Sequence, residues 1–450
     1  MLPLVGIAKT VEEYLKEYRK VFKKKAGYEH IKRYVNGLLL SENKTLEGIY
    51  KQIVWESSEE KVSRRAMHEE VFENGWSYQE LMKIQREKVG RSHQGKGKEV
   101  ISLDWTLGHH KYSQKISGVK GMYDYVERCW SRYQTIMTAV VANGEKIDGL
   151  VIDMQMPSYK REEKAYLEMS KKEDYDSLQE ARTRIMELLH YQKNCLEYRK
   201  RTEIAVEMVR QIEQEGILPN ANYAFDQGIL SRELTQVIEE SGKYWVTEVE
   251  KSRNVMWQNQ WQRVDKVAAE LKDNYPESFR LKQVTCRNGK KKDIWTFTKV
   301  VRLKKYGRQR LTIVHEQEDL EDKPRFLLTN ALHWDSARTF STWTYRWAIE
   351  VFHEFSKQMV GLESAQLRNQ EAVKRHFCLS CLAQSILQSA VSFQGKSERI
   401  KGTEFTHPAI GHSLQVLARQ ALSNLLSLAH HLFAQGQSIP DVLEVLMPIF

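Results

Sequence analysis

The sequence predicts an α/β fold: a mixed sheet that carries a β-rich insertion and stands between helical regions at the two ends of the chain. Three observations predict it. β-Branched runs alternate with helical stretches through the middle of the chain, as a layered sheet-and-helix domain requires. A segment dense in strand and turn signals interrupts that alternation. Both ends lack strand signals and carry helical periodicity instead. At 450 residues the chain is about three times the common domain size, so a large central unit with smaller appendages is expected.

Residues 1–95 read as helices: Val11 to Lys25 is long and charged, Tyr28 to Leu40 is apolar on one face, and Ser63 to Phe72 and Tyr78 to Val89 follow. The run Gly90-Arg-Ser-His-Gln-Gly-Lys-Gly-Lys98 interleaves glycines with cations and reads as a linker. Glu99 to Thr106 is a β-branched run fit for a buried strand, with Asp104 near its end. Arg132 to Val141 and Leu150 to Met154 are strands joined by a turn at Asn143-Gly144, and three strands in succession suggest antiparallel pairing. Ser177 to Glu215 is helical and stops at Gly216, with Pro219 just beyond. Tyr223-Ala-Phe-Asp226 is a short strand ending in a carboxylate, Ser231 to Ser241 a helix closed by Gly242, and Lys243 to Val249 a strand.

Residues 255–322 change character: Thr296 to Leu303 and Arg310 to His315 are strands flanking Tyr306-Gly307, and Asn288-Gly289 marks an earlier hairpin turn. Arg325 to Asn330 returns to strand, and Ser341 to Met359 reads as one long helix carrying Glu350. Residues 371–450 are largely helical, with breaks near Gly395, Gly402, Pro408 and Gly436. The expected division is a helical unit at 1–95, a sheet domain in two parts at 99–254 and 323–390, the insertion at 255–322 and a C-terminal helical region at 391–450.

Lys and Arg number 69 against 59 Asp and Glu, a formal charge of +10, which favours a polyanionic partner and by itself leaves DNA, RNA and an acidic membrane open. No apolar run approaches the roughly 20 residues that span a bilayer, and the start has no apolar signal core. A soluble intracellular protein with no membrane partner is expected. Five cysteines form no disulfide framework. Cys378 and Cys381 lack a second pair to complete a zinc tetrahedron and read as buried core residues.

Strand-borne Asp104, strand-end Asp226 and helix-borne Glu350 have the order a ribonuclease H-like nuclease requires, two aspartates on neighbouring strands and a third carboxylate on a helix over them. Carboxylates brought together raise one another's pKa, so such a cluster makes sense with divalent metal to neutralise it. Two Mg²⁺ ions would serve an in-line displacement at a phosphodiester, and oxygen-only ligands select Mg²⁺ or Mn²⁺ over zinc. A strand-end aspartate is also an ordinary turn former, so the surroundings of Glu350 matter more. Arg346, Glu350 and Lys357 stand at i, i+4 and i+11, roughly on one helical face. Taken alone, that pattern also describes a surface salt bridge beside a solvated lysine.

The segment from Trp343 to Lys357 resembles the Tyr-x2-Arg-x3-Glu-x6-Lys signature of insertion-sequence transposases of the Asp-Asp-Glu type, with Trp343 at the tyrosine position. Ser102-Leu-Asp-Trp-Thr106 resembles the first aspartate motif of that family and Tyr223-Ala-Phe-Asp-Gln-Gly228 the second. The resemblance covers roughly residues 28–390. It implies a ribonuclease H-like catalytic domain interrupted by a β-insertion, with Asp104, Asp226 and Glu350 as catalytic metal ligands for two Mg²⁺, Mn²⁺ being a substitute. It also implies DNA contacts by Arg346, Lys357 and Trp343, the last without the family's hydroxyl. The activity implied is cut-and-paste transposition. The partners implied are double-stranded DNA, both element ends and target, and a second copy of the chain in the DNA complex; the place implied is the bacterial cytoplasm, at the nucleoid. Other readings are a stand-alone ribonuclease H-like nuclease and a catalytically silent DNA-binding protein derived from a transposase.

Between Arg280 and Arg310 twelve Lys or Arg stand against one acid, Asp293. Lys290, Lys291, Lys292, Lys304 and Lys305 are the candidate phosphate contacts there, and Trp295, Phe297 and Tyr306 are candidates for stacking on distorted bases. A solvated basic face over core aromatics is the plainer reading. The N-terminal cations Arg19, Lys20, Lys23, Lys24, Lys25, Lys32 and Arg33 are a further candidate surface, for recognition of the element ends by residues 1–95. His109 and His110 lack zinc partners and read as structural or substrate-facing.

Overall fold

A computed structural model describes residues 3–447 apart from 56–60, 114, 125–127, 159–163, 165–167, 169–174, 192–197 and 390–409. The first 93 residues form β1 (Leu4–Val5), α1 (Lys9–Leu15), a 3₁₀ turn (Lys16–Val21), α2 (Lys25–Leu40), α3 (Leu46–Gln52), β2 (Ile53–Val54), α4 (Arg64–His68) with a π turn behind it, and α5 (Tyr78–His93). Thr45, Ser63 and Ser77 open α3, α4 and α5 by accepting a backbone N–H on their hydroxyls. The single helix expected over 11–25 is broken because Phe22 turns extended and buries its ring against Tyr28 and Trp76, at centroid distances of 5.7 and 5.4 Å.

The expected linker is also shorter than its glycines suggest. Helix α5 runs through Gly90 to His93, and Gly90 sits where a Cβ would lie 3.0 Å from the Ile217 carbonyl. The left-handed backbone belongs to Gly95 and Gly97, with φ of 74° and 92°.

The chain then builds β3 (Val100–His109), β4 (Lys120–Asp124), β5 (Cys129–Ala142), β6 (Ile147–Gln155), α6 (Tyr175–Tyr191), α7 (Arg201–Glu215), β7 (Asn222–Phe225), α8 (Arg232–Glu240), β8 (Trp245–Glu248), β9 (Asn254–Trp257), β10 (Gln260–Arg263) and α9 (Val264–Asn274). It continues through β11 (Arg280–Thr285), β12 (Lys291–Leu303), β13 (Gly307–His315), β14 (Arg325–Thr329), α10 (Ser336–Thr344), α11 (Trp347–Val360), α12 (Gln370–Ser389), α13 (Ile410–Ala434) and α14 (Ile439–Leu446). Two expected helices are therefore pairs: α6 with α7, and α10 with α11. The breaks expected near Gly395, Gly402 and Pro408 lie outside the described residues.

Among the described residues twelve strands make one mixed sheet in the order β10-β9-β12-β13-β14-β8-β7-β3-β5-β4, with β11 on β12 and β6 on β5. The α/β class is as expected, and β3, β5 and β6 pair antiparallel as their succession suggested. The β-rich segment is continuous with the rest, since β13 pairs with β14 and β14 with β8.

Among the described residues two large apolar cores cover opposite faces, and a third, smaller one gathers Val246, Ile294, Val314, Leu327, Trp334 and Phe340. Val100, Ile136, Val140 and Ala224 pack with α2, α11, α12 and the other N-terminal helices. Ile101, Leu103, Met137, Tyr223 and Phe225 pack with α7, α8 and α9. The first 93 residues thus share a core with the sheet domain. Polar contacts fasten the same junction: Tyr34 Oη lies 2.9 Å from His376 Nδ1, Gln85 donates to Ser385 at 2.8 Å, and Arg375 donates to the carbonyls of Phe72 and Trp76 at 2.5 and 3.0 Å. Among the described residues no helix is long and apolar enough to cross a membrane.

Helix α12 lies so close to β6 that a Cβ on Gly149 would stand 2.2 Å from Cys381 Sγ and 3.2 Å from the Phe352 ring. Gly149→Ala is expected to destabilise the fold by about 1–3 kcal/mol through overpacking, read by urea unfolding. Adding Cys381→Ala, which removes the clashing sulfur, is expected to recover part of that loss.

Candidate active site

The site begins with strand register. Ser102 pairs with Ala224 and Leu103 with Phe225 across the parallel β3–β7 ladder, so the next position along each strand is a carboxylate, Asp104 beside Asp226. Side chains alternate between faces. Ala224 lies in the core under α11, and Leu103 and Phe225 in the opposite one. Asp104 and Asp226 therefore share the face beneath the α10–α11 junction.

Two hydrogen bonds hold that junction on the strands. Ser102 Oγ donates to the Tyr345 carbonyl at 3.2 Å, and Thr138, the residue opposite Asp104 on β5, lies 2.5 Å from His353 Nε2. Burial, with the nearby Lys357 charge, pushes His353 down to about 3, so its imidazole is neutral at physiological pH. Glu350 stands one turn earlier on α11, over Asp104.

Arg346 joins the acids. Its Nη1 lies 2.7 Å from Glu350 Oε1 and 3.7 Å from Asp104 Oδ2, and its guanidinium stands 5.9 Å from the Trp343 ring centroid. The Asp104 side chain is 14% exposed. Burial pushes its carboxyl up to about 6; the Asp226 and Glu350 charges add to this, and the Trp105 N–H and Arg346 oppose it. Among the described residues the Asp226 carboxylate has no hydrogen-bond or ion-pair partner.

A further cation was not legible in the sequence. Arg201, the first residue of α7, stacks at 4.1 Å over Trp105, and Asp104 favours its charged form against the burial that lowers its pKa. It belongs to the run Arg199-Lys200-Arg201, which looks like an ordinary solvated helix start.

The remaining candidates divide. Trp343 is half-buried, carries the Arg325 guanidinium over its ring at 5.0 Å, and has a buried indole N–H without a hydrogen-bond partner. Lys357 turns away from the acids: its Nζ donates to the Leu107 carbonyl at 2.6 Å and pairs with Glu363 at 3.2 Å, clamping α11 to the end of β3. Seven residues of helix, roughly 10 Å, separate it from Glu350.

The β11–β12 turn docks on the α10–α11 junction, where the Arg287 N–H donates to Thr344 Oγ1 at 3.3 Å and its guanidinium to the Asn143 carbonyl at 3.1 Å. A cleft of about 260 Å³ there is lined among others by Arg287, Lys292, Glu316, Arg325, Trp343 and Arg346. Lys292 is tied to Glu316 at 2.7 Å, and Lys290 and Lys291 are exposed at the turn. Lys304 and Lys305 sit at the other end of β12, roughly 40 Å along a strand of that length, beside Trp261 and Tyr306. The basic segment is therefore two surfaces, and one adjoins the acids. Trp295, Phe297 and Tyr306 are partly buried against the apolar core, as the plainer reading had it.

In the N-terminal helices, Lys32 is ion-paired to Glu12 and Glu29, and Arg33 covers Trp55. His110 is buried on Gln134, and His109 meets the Tyr133 ring edge-on.

Among the described residues no group of three or more His, Cys, Asp or Glu stands ready to hold a metal ion, and Cys378 and Cys381 are buried in the core. The guanidinium of Arg346 stands between Asp104 and Glu350 as their counter-charge. The donor chemistry of the three acids, oxygen throughout, with a raised pKa on one and no partner on another, fits a hard divalent cation.

No protein-family model matches the chain, and no curated protein does. Among solved structures it is similar to the NurA nuclease from Sulfolobus solfataricus, at 11% identity and a TM-score of 0.21 over 59% of this chain and 80% of that one. A likeness that slight carries no argument about fold or function.

With the Asp104 carboxyl raised from 3.8 to about 6, its ionisation costs stability in full above about pH 6 and nothing below about pH 4. Asp104→Asn is therefore expected to raise stability without divalent cations at pH 7.5, by at most about 3 kcal/mol. The gain should vanish at pH 4. Denaturant midpoints at the two pH values check it.

Proposed function

We propose that this chain is a divalent-metal-dependent DNA transposase of the Asp-Asp-Glu type, with a ribonuclease H-like catalytic domain that cuts element ends and joins the freed 3′-OH to target DNA. The observation that carries the proposal is the adjacency of Asp104 and Asp226 on parallel strands, with Glu350 brought over the same face and coupled to Asp104 through Arg346. Neighbouring central strands plus an overlying helix is the arrangement that the motif resemblance implies.

Asp104, Asp226 and Glu350 would hold the metal. Bound there, it would supply charge neutralisation and activation of the attacking oxygen. The protein's own residues set the rest. Asp104 sits where burial and two like charges make its ionised form costly, so a cation there relieves it. Arg346 supplies that cation internally, and once its charge is no longer needed by the acids its guanidinium can meet a phosphate, as Arg287, Arg325 and the lysines at the β11–β12 turn can along the adjoining cleft.

Asp104→Ala, Asp226→Ala and Glu350→Ala are each expected to abolish Mg²⁺-dependent cleavage and strand transfer on element-end DNA while DNA binding persists. Binding without cleavage or transfer by the wild type would sink the enzymatic reading, and cleavage without transfer would leave a plain nuclease. Arg346→Gln should keep the fold and slow cleavage on the order of 100-fold, as loss of a preorganised cationic contact does. Lys357→Gln is expected to act differently, lowering stability by about 1–2 kcal/mol by releasing the Leu107 carbonyl and leaving the rate per folded molecule near wild type; melting temperatures measured beside the rates separate the two.

A further inference from the structure

Lys98, just ahead of β3, is a cation without an acid. Its ammonium donates to Ser341 Oγ at 3.3 Å and stands 5.3 Å from the Tyr345 ring centroid. Among the described residues no carboxylate pairs with it, and Glu99, next in the chain, is buried near the charges of His93 and Lys243 instead. The charge that bears on Lys98 is another cation, Arg338, and burial together with that charge pushes its pKa down to about 8. Arg338 is exposed and lies over the Trp334 ring at 4.7 Å. Arg287, on the other side of Tyr345, is half-buried and gives its guanidinium to the Asn143 carbonyl. Among the described residues neither arginine is ion-paired to a carboxylate.

A lysine drawn partly out of water loses hydration, and without an acid beside it nothing of opposite charge offsets the loss. Three cations about α10, none neutralised, are therefore a cost in the free chain that an anion removes. Their layout says which anion. Ser341 Oγ accepts from Lys98 and donates to the Thr285 carbonyl at 3.2 Å, at the end of the strand that leads into the basic β11–β12 turn. The cations thus run in a row from exposed Lys290 and Lys291 through Arg287 to Lys98 and Arg338, which suits charges that also come in a row, the phosphates of a nucleic-acid backbone. The row ends at the carboxylates. Tyr345, which carries Lys98 on its ring, is held to β3 by Ser102, and Asp104 lies four residues beyond Val100 on that strand, roughly 13 Å along it.

We infer that Lys98, with Arg338 beside it, holds a backbone phosphate of bound DNA on the approach to Asp104. The inference deepens the proposed function, and it rests on that reading for the choice of DNA as the polyanion.

The test uses the full chain and a fluorescein-labelled twenty-base-pair duplex in EDTA, with anisotropy read across a salt series. Lys98→Met is expected to flatten the slope of log affinity against log salt by about 0.9, so that a fourfold rise in NaCl costs the variant about 3.5-fold less affinity than the wild type. Lys98→Arg should keep the slope. Lys96→Met, which removes an exposed lysine paired to Glu145 two residues away, should keep it too. Melting curves at pH 7 separate a phosphate contact from a brace for Tyr345: with the charge already disfavoured by burial, Lys98→Met is expected to melt no lower than the wild type. An unchanged slope in Lys98→Met would overturn the inference, as would an equal flattening in Lys96→Met. Lys98→Gln answers for the site if Lys98→Met does not fold. A rise in melting temperature with sodium phosphate over sodium chloride at equal ionic strength, lost in Lys98→Met while the DNA slope stays, would assign the site to free phosphate and overturn the backbone contact. The two readings fail separately, because no cleavage occurs in EDTA: a flattened slope with cleavage retained in Asp104→Ala would remove the carboxylate site and leave this one.

Discussion

The arrangement of the site depends on one constraint, the register of β3 against β7. Because Leu103 and Phe225 are neighbours in a parallel ladder, the residues that follow must be neighbours too. A slip of β3 by one residue would turn Asp104 alone to the opposite face, away from Asp226 and into the apolar core that holds Tyr223 and Phe225. Strand β3 is locked on both faces by such packing, so the closeness of two like charges is imposed by the cores. The local chemistry then answers it with the Trp105 N–H on Asp104 and the Arg346 guanidinium between Asp104 and Glu350.

Much of this was legible in the sequence. Asp226 follows directly on β7, as expected, whereas Asp104 lies midway along β3, which runs on to His109 beyond the expected end. Glu350 follows from its helical surroundings. The break in the helix that carries it does not, since Tyr345 and Arg346 include no glycine or proline. A partner distant in sequence takes the Tyr345 carbonyl, Ser102 on β3, and local propensity carries no trace of that bond. The same limit explains Lys357. Its spacing put it on the face of Arg346 and Glu350, but the helix extends past the acids and over the end of β3, where a backbone carbonyl captures it.

Charge patterning was legible in amount and illegible in direction. The basic density between Arg280 and Arg310 is real, but the length of β12 sends Lys304 and Lys305 to one end and Lys290 to Lys292 to the other. Alternation along that strand likewise turned Trp295 and Phe297 to the core. Arg201 was hidden for the opposite reason: Arg199-Lys200-Arg201 has the composition of a solvated helix start, and only the packing of α7 on the sheet brings Arg201 over Trp105.

The continuity of the sheet has a mechanical consequence. From β12, which begins at the basic β11–β12 turn, to β7, which Asp226 follows, the path crosses β13, β14 and β8, four ladder steps of about 4.8 Å, or roughly 19 Å in all. Hydrogen-bonded strands resist stretching along that direction far better than packed helices or loops would. The basic hairpin and the acid pair are therefore mounted on one stiff beam. Anything gripped at the hairpin is held at a set distance from Asp226, so the spacing between grip and acids is a constant of the scaffold.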